Sequence, residues 1–592
     1  MPRRYGRGHS IVAAADKRGY GAHCGAGGRT GKMKGRRPRR PAIVAAAIGR
    51  RRAAIGDGGG RNGGLMAGIV VDRVYERRLA SLVNSREQGL IARGRRGLER
   101  ESLRVTPDGH IAQTPHPAAL GSSLTNPHIT TDYSEALIEL VTPTFDDNEE
   151  LLQYLGDLHQ FVYAHLDDEL LWATSMPCIL GGEASVPIAR FGSSFQGRIK
   201  YIYRHGLLVR YGGMMQAISG VHFNYSVPEK FWPLYAEICE SRAAGQDFIS
   251  ARYFDLLRNY RRYGWIVTYL FGASPALCPS FLQGRVDPEL ELLGPETLIG
   301  PDATSLRMSD IGYRNRNQAT EAVSFNTLEQ YLRDLRHAVN QPHPPFEALG
   351  VKVDGEYRQL SGNLLQIENE YYSYVRPKRT LRAGERTIHA LARAGVEYVE
   401  VRTLDNSAYN PVGVNLRKLY FLEAFCLLLL FRASPPIESN EEEAIDRNHL
   451  KVARYGRARG LMLERDGRQV PMRSWAGELL ESMQGICELL DAAHPQRPYS
   501  VTLKEQQTKL EDVGQTPSAR LLHDLRESGE SFTALVLRMS RSHREYLLAA
   551  PRNAERWQQF EVEVQESLEA QRSLEASQRG SFDQYLAAYL AN

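Results

Sequence analysis

The stretch Gly97-Leu-Glu-Arg-Glu-Ser-Leu-Arg-Val105 reads as a β-strand with two carboxylates on one side, and the rest of the fold follows outward from it. Residues two apart in a strand point to the same face, so Glu99 and Glu101 stand together. Three more stretches show the same parity. Between Gln216 and Asn224, the polar Gln216, His222 and Asn224 fall on one face, while Ala217, Val221, Phe223 and Val227 fall on the other. In the run from Gln366 to Tyr372, read as a strand, Glu368 and Glu370 share a face. In Tyr398-Val-Glu400-Val-Arg402 so do Glu400 and Arg402. Several carboxylates and an imidazole turned into one cavity repel each other and lose hydration unless cations sit among them. Hard divalent metals are the usual cations.

Each piece alone has a plainer reading. A Glu-x-Glu strand is common on solvated faces, a lone His222 is more often a hydrogen-bonded core residue, and Glu400 with Arg402 makes an ordinary ion pair. What separates the metal reading is three acidic strand faces in one chain, each with apolar neighbours on the opposite parity. On such a face Arg402 could balance carboxylates or meet a phosphate. No phosphate loop, dinucleotide fingerprint, serine elbow or kinase signature occurs, so any nucleotide would be held by metals and basic side chains on a sheet.

The formal charge of +5 hides an asymmetry. Residues 1–65 hold 16 Lys or Arg against two Asp, a balance of +14, which leaves about −9 for the remainder. That segment has 16 Gly and no periodic apolar pattern, so it is expected to be disordered. Three origins stand open for it: a transit peptide, a nucleic-acid-binding tail, or upstream sequence with translation starting near Met66. Its Gly runs and lack of an amphipathic stripe speak against the first, and the third is preferred. Six dispersed cysteines without a C-x-x-C pair suit free thiols in a reducing compartment. The longest apolar run, Leu419 to Phe431, has 13 residues broken by Glu423, too short to span a bilayer, and reads as a core helix. A cytoplasmic protein without membrane contact is expected.

Along the chain, a helix over 71–86 precedes the first strand, and Pro107-Asp108-Gly109 predicts a hairpin returning through His110 and Ile111. An amphipathic helix begins at Asn148, a basic helix-like segment covers 198–210, and 228–262 reads as helix. Basic Arg376-Pro-Lys378-Arg379 lies between the last two strands. Beyond Pro436 helical period appears over 450–463, 475–490, 519–525 and 560–590.

Gly97-Leu-Glu-Arg-Glu-Ser-Leu-Arg, Ile129-Thr-Thr-Asp-Tyr-Ser-Glu-Ala-Leu-Ile-Glu, Ser175-Met-Pro-Cys, Ser219-Gly-Val-His-Phe-Asn, Phe271-Gly-Ala-Ser-Pro, Leu365-Gln-Ile-Glu-Asn-Glu and Glu397-Tyr-Val-Glu-Val-Arg together resemble the bacterial glutamate–cysteine ligase family of the gammaproteobacterial type. The likeness runs in unbroken order from about Arg86 to about Thr403. It implies an α+β, glutamine-synthetase-like ligase fold: a curved, mainly antiparallel sheet forming a funnel covered by helices, with a helical C-terminal third. The expected organisation is a single catalytic domain over 66–592, of which 437–592 is the helical part.

The resemblance also implies ATP-dependent joining of L-glutamate to L-cysteine, the first step of glutathione synthesis, with Mg2+ or Mn2+ as cofactor. By motif match it places Glu99, Glu101, Asp132, Glu139, His222 and Glu400 as metal ligands and Arg402 at the phosphate. It places Tyr203, Gln216, Asn224, Arg307, Tyr313 and Tyr372 at the amino acids. Feedback inhibition by glutathione, a monomer and no nucleic-acid partner are implied as well. Two alternatives remain: the same fold joining glutamate to another amine, and a nucleic-acid-binding protein that uses the basic tail.

Overall fold

Strand β1 (Arg95–Val105) is the centre of a seven-stranded sheet. The other strands are β2 (Ile129–Thr131), β3 (Leu137–Val141), β4 (Leu170–Leu171), β5 (Val221–Ser226), β6 (Val375–Lys378) and β7 (Tyr398–Leu404). Their order is β6-β7-β5-β1-β3-β2, with β4 added beside the end of β1, and every pairing is antiparallel. The computed structural model describes residues 72–312, 323–382 and 384–591. The expectation for residues 1–65 lies outside them, as does Tyr313.

The sheet's two faces differ as the parity predicts. Leu98, Ile138, Leu140, Phe223, Val399 and Val401 point to the back and join the main apolar core. There they meet the helix α6 (Leu416–Phe431), in which every residue from Lys418 to Phe431 is buried. Glu423 interrupts that helix for a reason. It accepts hydrogen bonds from Arg96 at 2.6 Å, Tyr499 at 2.7 Å and Asn148 at 3.2 Å, so one buried carboxylate neutralises a buried arginine of β1. On the front face the polar region is bounded at one end by Leu103 opposite Leu137, both in a second core cluster with Trp172 and Phe532.

The helices that hold the sheet are α1 (Arg73–Asn84), α2 (Asn148–Ala164), α3 (Phe195–Tyr211), α4 (Gly245–Tyr263), α5 (Trp265–Phe271), α6 and α7 (Ser439–Tyr455). Asp72 caps α1 by accepting from Tyr75 N, and Asp147 caps α2 through Glu149 N and Glu150 N. Among the described residues no helix is long and apolar enough to cross a membrane. The five described cysteines are free.

Several local expectations fail, each for a physical reason. Gln366–Tyr372 is no strand: Glu368–Glu370 forms a 3-10 turn, with Glu368 held by Arg386 at 2.7 Å and Glu370 by Arg210 at 3.0 Å. Gln216 likewise sits in a 3-10 turn, Met215–Ala217, and β5 begins only at Val221. The turn at Pro107-Asp108-Gly109 does return through His110 and Ile111, with Val105 bridging Ile111 antiparallel and Ala112 N donating to Arg104 O at 3.0 Å, but this hairpin is short and the long partners of β1 are β3 and β5. Residues 228–262 divide into Phe231–Ile238 and Gly245–Tyr263. Instead of helix through Leu463, a hairpin pairs Met462–Arg465 with Arg468–Pro471. Its two-residue loop places Asp466 at φ 51 and Gly467 at φ 70, the conformation that Asp-Gly favours. Residues 560–590 are two helices, Ala554–Ala576 and Phe582–Ala591.

Candidate active site

Register fixes which side chains meet. Residues directly opposed in an antiparallel pair share a face. Glu101 lies opposite Glu139, Glu99 opposite His222, Asn224 opposite Glu400, and Glu400 opposite Arg376. The front of five neighbouring strands is thus one row of carboxylates and their partners. Asp132 follows β2 at one end of it.

The distances tie this row together. His222 Nδ1 lies 3.0 Å from Glu99 Oε2 and 3.6 Å from Glu400 Oε1, and Nε2 lies 3.8 Å from Glu101 Oε1. Asn224 Nδ2 donates to Glu99 Oε1 at 2.9 Å, and Gly220 N donates to Glu101 Oε2 at 2.7 Å. One ligand atom each from Glu99, His222 and Glu400 can be chosen so that all lie within 4.8 Å of one another.

Charge is balanced from the sides. At the β6–β7 edge Lys378 Nζ is 3.3 Å and Arg402 Nη1 3.2 Å from Glu400 Oε1. Burial alone would push the Glu400 carboxyl up, yet Lys378, Arg402, His222 and Arg376 outweigh it and hold that group well below the usual carboxylate range. The opposite end is under-compensated. Burial first, then Asp132, Glu99 and Glu101, drive the Glu139 carboxyl well above its ordinary value, and burial with Asp132 raises Glu101. Helix α3 supplies the nearest cations there. Arg204 Nε donates to Asp132 O at 2.5 Å, and Lys200, pushed down to about 8 by burial and Arg204, is drawn the other way by Glu139 and Asp132.

A cation fits this donor set. Glu400 Oε2 and Asn224 Oδ1 are buried without a hydrogen-bond partner, although Glu400 is 1% exposed. The donors are carboxylate oxygens, an amide oxygen and one imidazole, which suit a hard divalent ion.

Arg402 owes its position to an irregularity. Between Val401 opposite Phe223 and Leu404 opposite Val221, β7 has one residue more than β5. Such a bulge at Arg402–Thr403 re-aims a side chain. Arg402 O accepts from Arg307 Nη2 at 2.9 Å. Arg307 Nη1 and Tyr372 OH both approach Met308 Sδ, at 3.1 and 3.6 Å, so two predicted amino-acid residues gather beside the bulge. Tyr203 is half-buried on α3 and Gln216 is buried in its 3-10 turn, and neither is placed by strand register.

Sequence reasoning missed Arg376 and Lys378. They belong to β6, whose Pro377 is tolerated because the strand is an edge, and their two-residue spacing was the available signal. It also assigned Glu368 and Glu370 to the acidic faces, whereas each has its own arginine. A separate cavity of about 750 Å³ lies against Arg262, Arg432, Glu441 and Trp475, and none of the predicted site residues lines it.

The glutamate–cysteine ligase family model matches residues 79–452. The glutamate–cysteine ligase of Alcanivorax borkumensis is 46% identical over 519 residues, covering 87% of this chain and 99% of the relative. That of Azotobacter vinelandii is 49% identical over 526 residues, covering 88% and 99%. Matches of this length continue well past Thr403 into the C-terminal helices. The crystal structure of the Francisella tularensis glutamate–cysteine ligase in complex with AMP superposes with a TM-score of 0.79 at 33% identity, over 84% of this chain and 98% of that one. With its sheet, its carboxylate row and these relatives, the chain belongs to the glutamate–cysteine ligase family.

Proposed function

We propose that this chain joins the γ-carboxylate of L-glutamate to the amine of L-cysteine at the expense of ATP, giving γ-glutamylcysteine, ADP and phosphate. The observation that carries the reading is the row of front-face carboxylates flanked by Lys378, Arg376 and Arg402, in a chain of this family. A carboxylate is a poor electrophile. In the first step a γ-carboxylate oxygen of glutamate attacks the γ-phosphorus of ATP, the bond to the β-phosphate oxygen breaks, and ADP leaves with the electron pair. In the second, the cysteine nitrogen attacks the acyl carbon, phosphate departs with its bonding pair, and the nitrogen loses a proton.

Glu99, Glu101, Asp132, Glu139, His222 and Glu400 would hold the divalent ions, with Mg2+ or Mn2+ the fitting choice for oxygen-rich donors. When bound, such ions neutralise phosphate charge. Arg402 meets the transferring phosphoryl group, where a preorganised guanidinium stabilises charge as it develops. Tyr203, Gln216, Asn224, Arg307 and Tyr372 receive the amino acids, as does Tyr313 by its place in the family motif. The C-terminal helices from 437 belong to the same catalytic unit, which works as a cytoplasmic monomer subject to inhibition by glutathione, without nucleic acid.

The test is ADP release with glutamate plus cysteine, set against glutamate plus a panel of other amines. Stimulation by cysteine above every other amine is expected. No stimulation by cysteine would refute the reading.

A further inference from the structure

Strand β7 ends at Leu404, and the next two residues are wholly buried. Asp405 Oδ2 accepts from Ala273 N at 2.8 Å, and Oδ1 accepts from Ser305 Oγ at 2.9 Å. The same Oδ1 lies 3.7 Å from Arg307 Nη1. Asn406 Nδ2 donates to Glu101 O at 2.9 Å and to Ser219 Oγ at 3.0 Å. This pair therefore fastens two parts of the site at once: Asn406 the backbone under a predicted metal ligand, Asp405 the guanidinium of Arg307.

Arg307 is confined on its other sides too. Its Nη2 donates to the bulge carbonyl of Arg402, and a methyl group at Gly220 would overlap that same Nη2. The guanidinium thus lies in a slot between the Asp405 carboxylate, the β7 bulge and a glycine. It is 5% exposed. A side chain so confined keeps little rotamer freedom, and the ordering cost of gripping a substrate carboxylate is met on folding. Asp405 is fully buried among Ala273, Ser305 and Arg307, so it acts through these neighbours.

We propose that Asp405 is a positioning residue that fixes Arg307 for the α-carboxylate of the glutamate substrate. The proposal rests on the reading of Arg307 as an amino-acid-binding residue. The competing role is structural, because Asp405 also offsets the charge of buried Lys418. Asp405→Asn disturbs both roles, because it removes the charge facing Lys418 and, while the amide can still accept from Ala273 N and donate to Ser305 Oγ, turns a donor toward Arg307; combining it with Arg307→Met separates them.

The experiment is a double-mutant cycle on steady-state kinetics, with ATP and glutamate varied in turn. Asp405→Asn is expected to raise the KM for glutamate about tenfold, with the KM for ATP within about twofold. Arg307→Met should lower kcat/KM for glutamate about 100-fold. The double variant should be no worse than Arg307→Met, since the carboxylate has nothing left to position. Multiplied losses, of about 1,000-fold, would overturn the positioning role while leaving Arg307 at the substrate. An unchanged glutamate KM in Arg307→Met would instead overturn the reading of Arg307, and the proposal with it. Should Asp405→Asn fail to fold, Ser305→Ala removes one hydrogen bond from the carboxylate without changing charge. It should raise the glutamate KM about threefold, and no change would overturn the proposal.

Discussion

Two Glu-x-Glu pairs in this chain look alike in sequence and end in opposite circumstances. Glu368 and Glu370 lie in a 3-10 turn, each hydrogen-bonded to a buried arginine, Arg386 and Arg210. Glu99 and Glu101 lie on a strand among Glu139, Asp132 and Glu400, with one imidazole and a few flanking cations to share. The first pair is a closed ion-pair arrangement. The second is a set of donors with charge left over, and that surplus marks a site for cations and phosphates. Alternation identifies a face only when the segment is a strand, and says nothing about where the counter-charge comes from.

The contrast is sharpest in activity. Glu99→Gln removes charge at nearly constant size, and turnover is expected to fall about 1,000-fold with little change in melting temperature. Near-normal turnover would place Glu99 with Glu368 as a structural carboxylate. Arg402→Lys comes next. An ammonium lacks the planar fork, so kcat should fall about 100-fold, more than apparent ATP affinity weakens. Turnover within a few-fold of the parent would reduce Arg402 to the ion-pair partner of Glu400.

Glu368→Gln should do the reverse. It leaves buried Arg386 without its carboxylate, at a cost of about 3 kcal/mol in stability, while turnover of the folded enzyme stays close to the parent. Denaturant unfolding together with kinetics checks both halves, and a collapse of turnover without loss of stability would break the distinction.

Removing metal gives the smallest change in stability and a definite pH signature. Glu139 and Glu101 have folded-state values above their unfolded ones, so the folded chain holds more protons over that interval and loses stability as pH rises through it. Glu400 and Glu99 are displaced the other way, and their contribution is lost only as pH falls below the ordinary carboxylate range. In chelator the melting temperature should therefore drop from pH 5 toward pH 8, and added Mg2+ should restore it more at pH 8. At about 100 times its dissociation constant a ligand contributes about 2.7 kcal/mol. An equal Mg2+ shift at both pH values would contradict the surplus charge.

Much of this was legible beforehand. Parity on β1, β5 and β7 selects the side chains that register then brings together, and the run ending at Phe431 is the core helix behind them. What stayed hidden depends on distant partners. The turn at Glu368 needs Arg386 and Arg210, β6 is a short edge strand carrying a proline, and the extra residue at Arg402 appears only against β5. The role of Glu423 needs Arg96, 327 positions away. The Asp-Gly loop at Asp466 was a local signal that could have been read.

The most direct test of the surplus-charge account is Mn2+ binding, measured by electron paramagnetic resonance with saturating nucleotide, on the parent, Glu99→Gln and Glu368→Gln. The account predicts that Glu99→Gln weakens or abolishes binding, whereas Glu368→Gln binds as the parent does. Equal binding by all three proteins, or loss in Glu368→Gln alone, would contradict it.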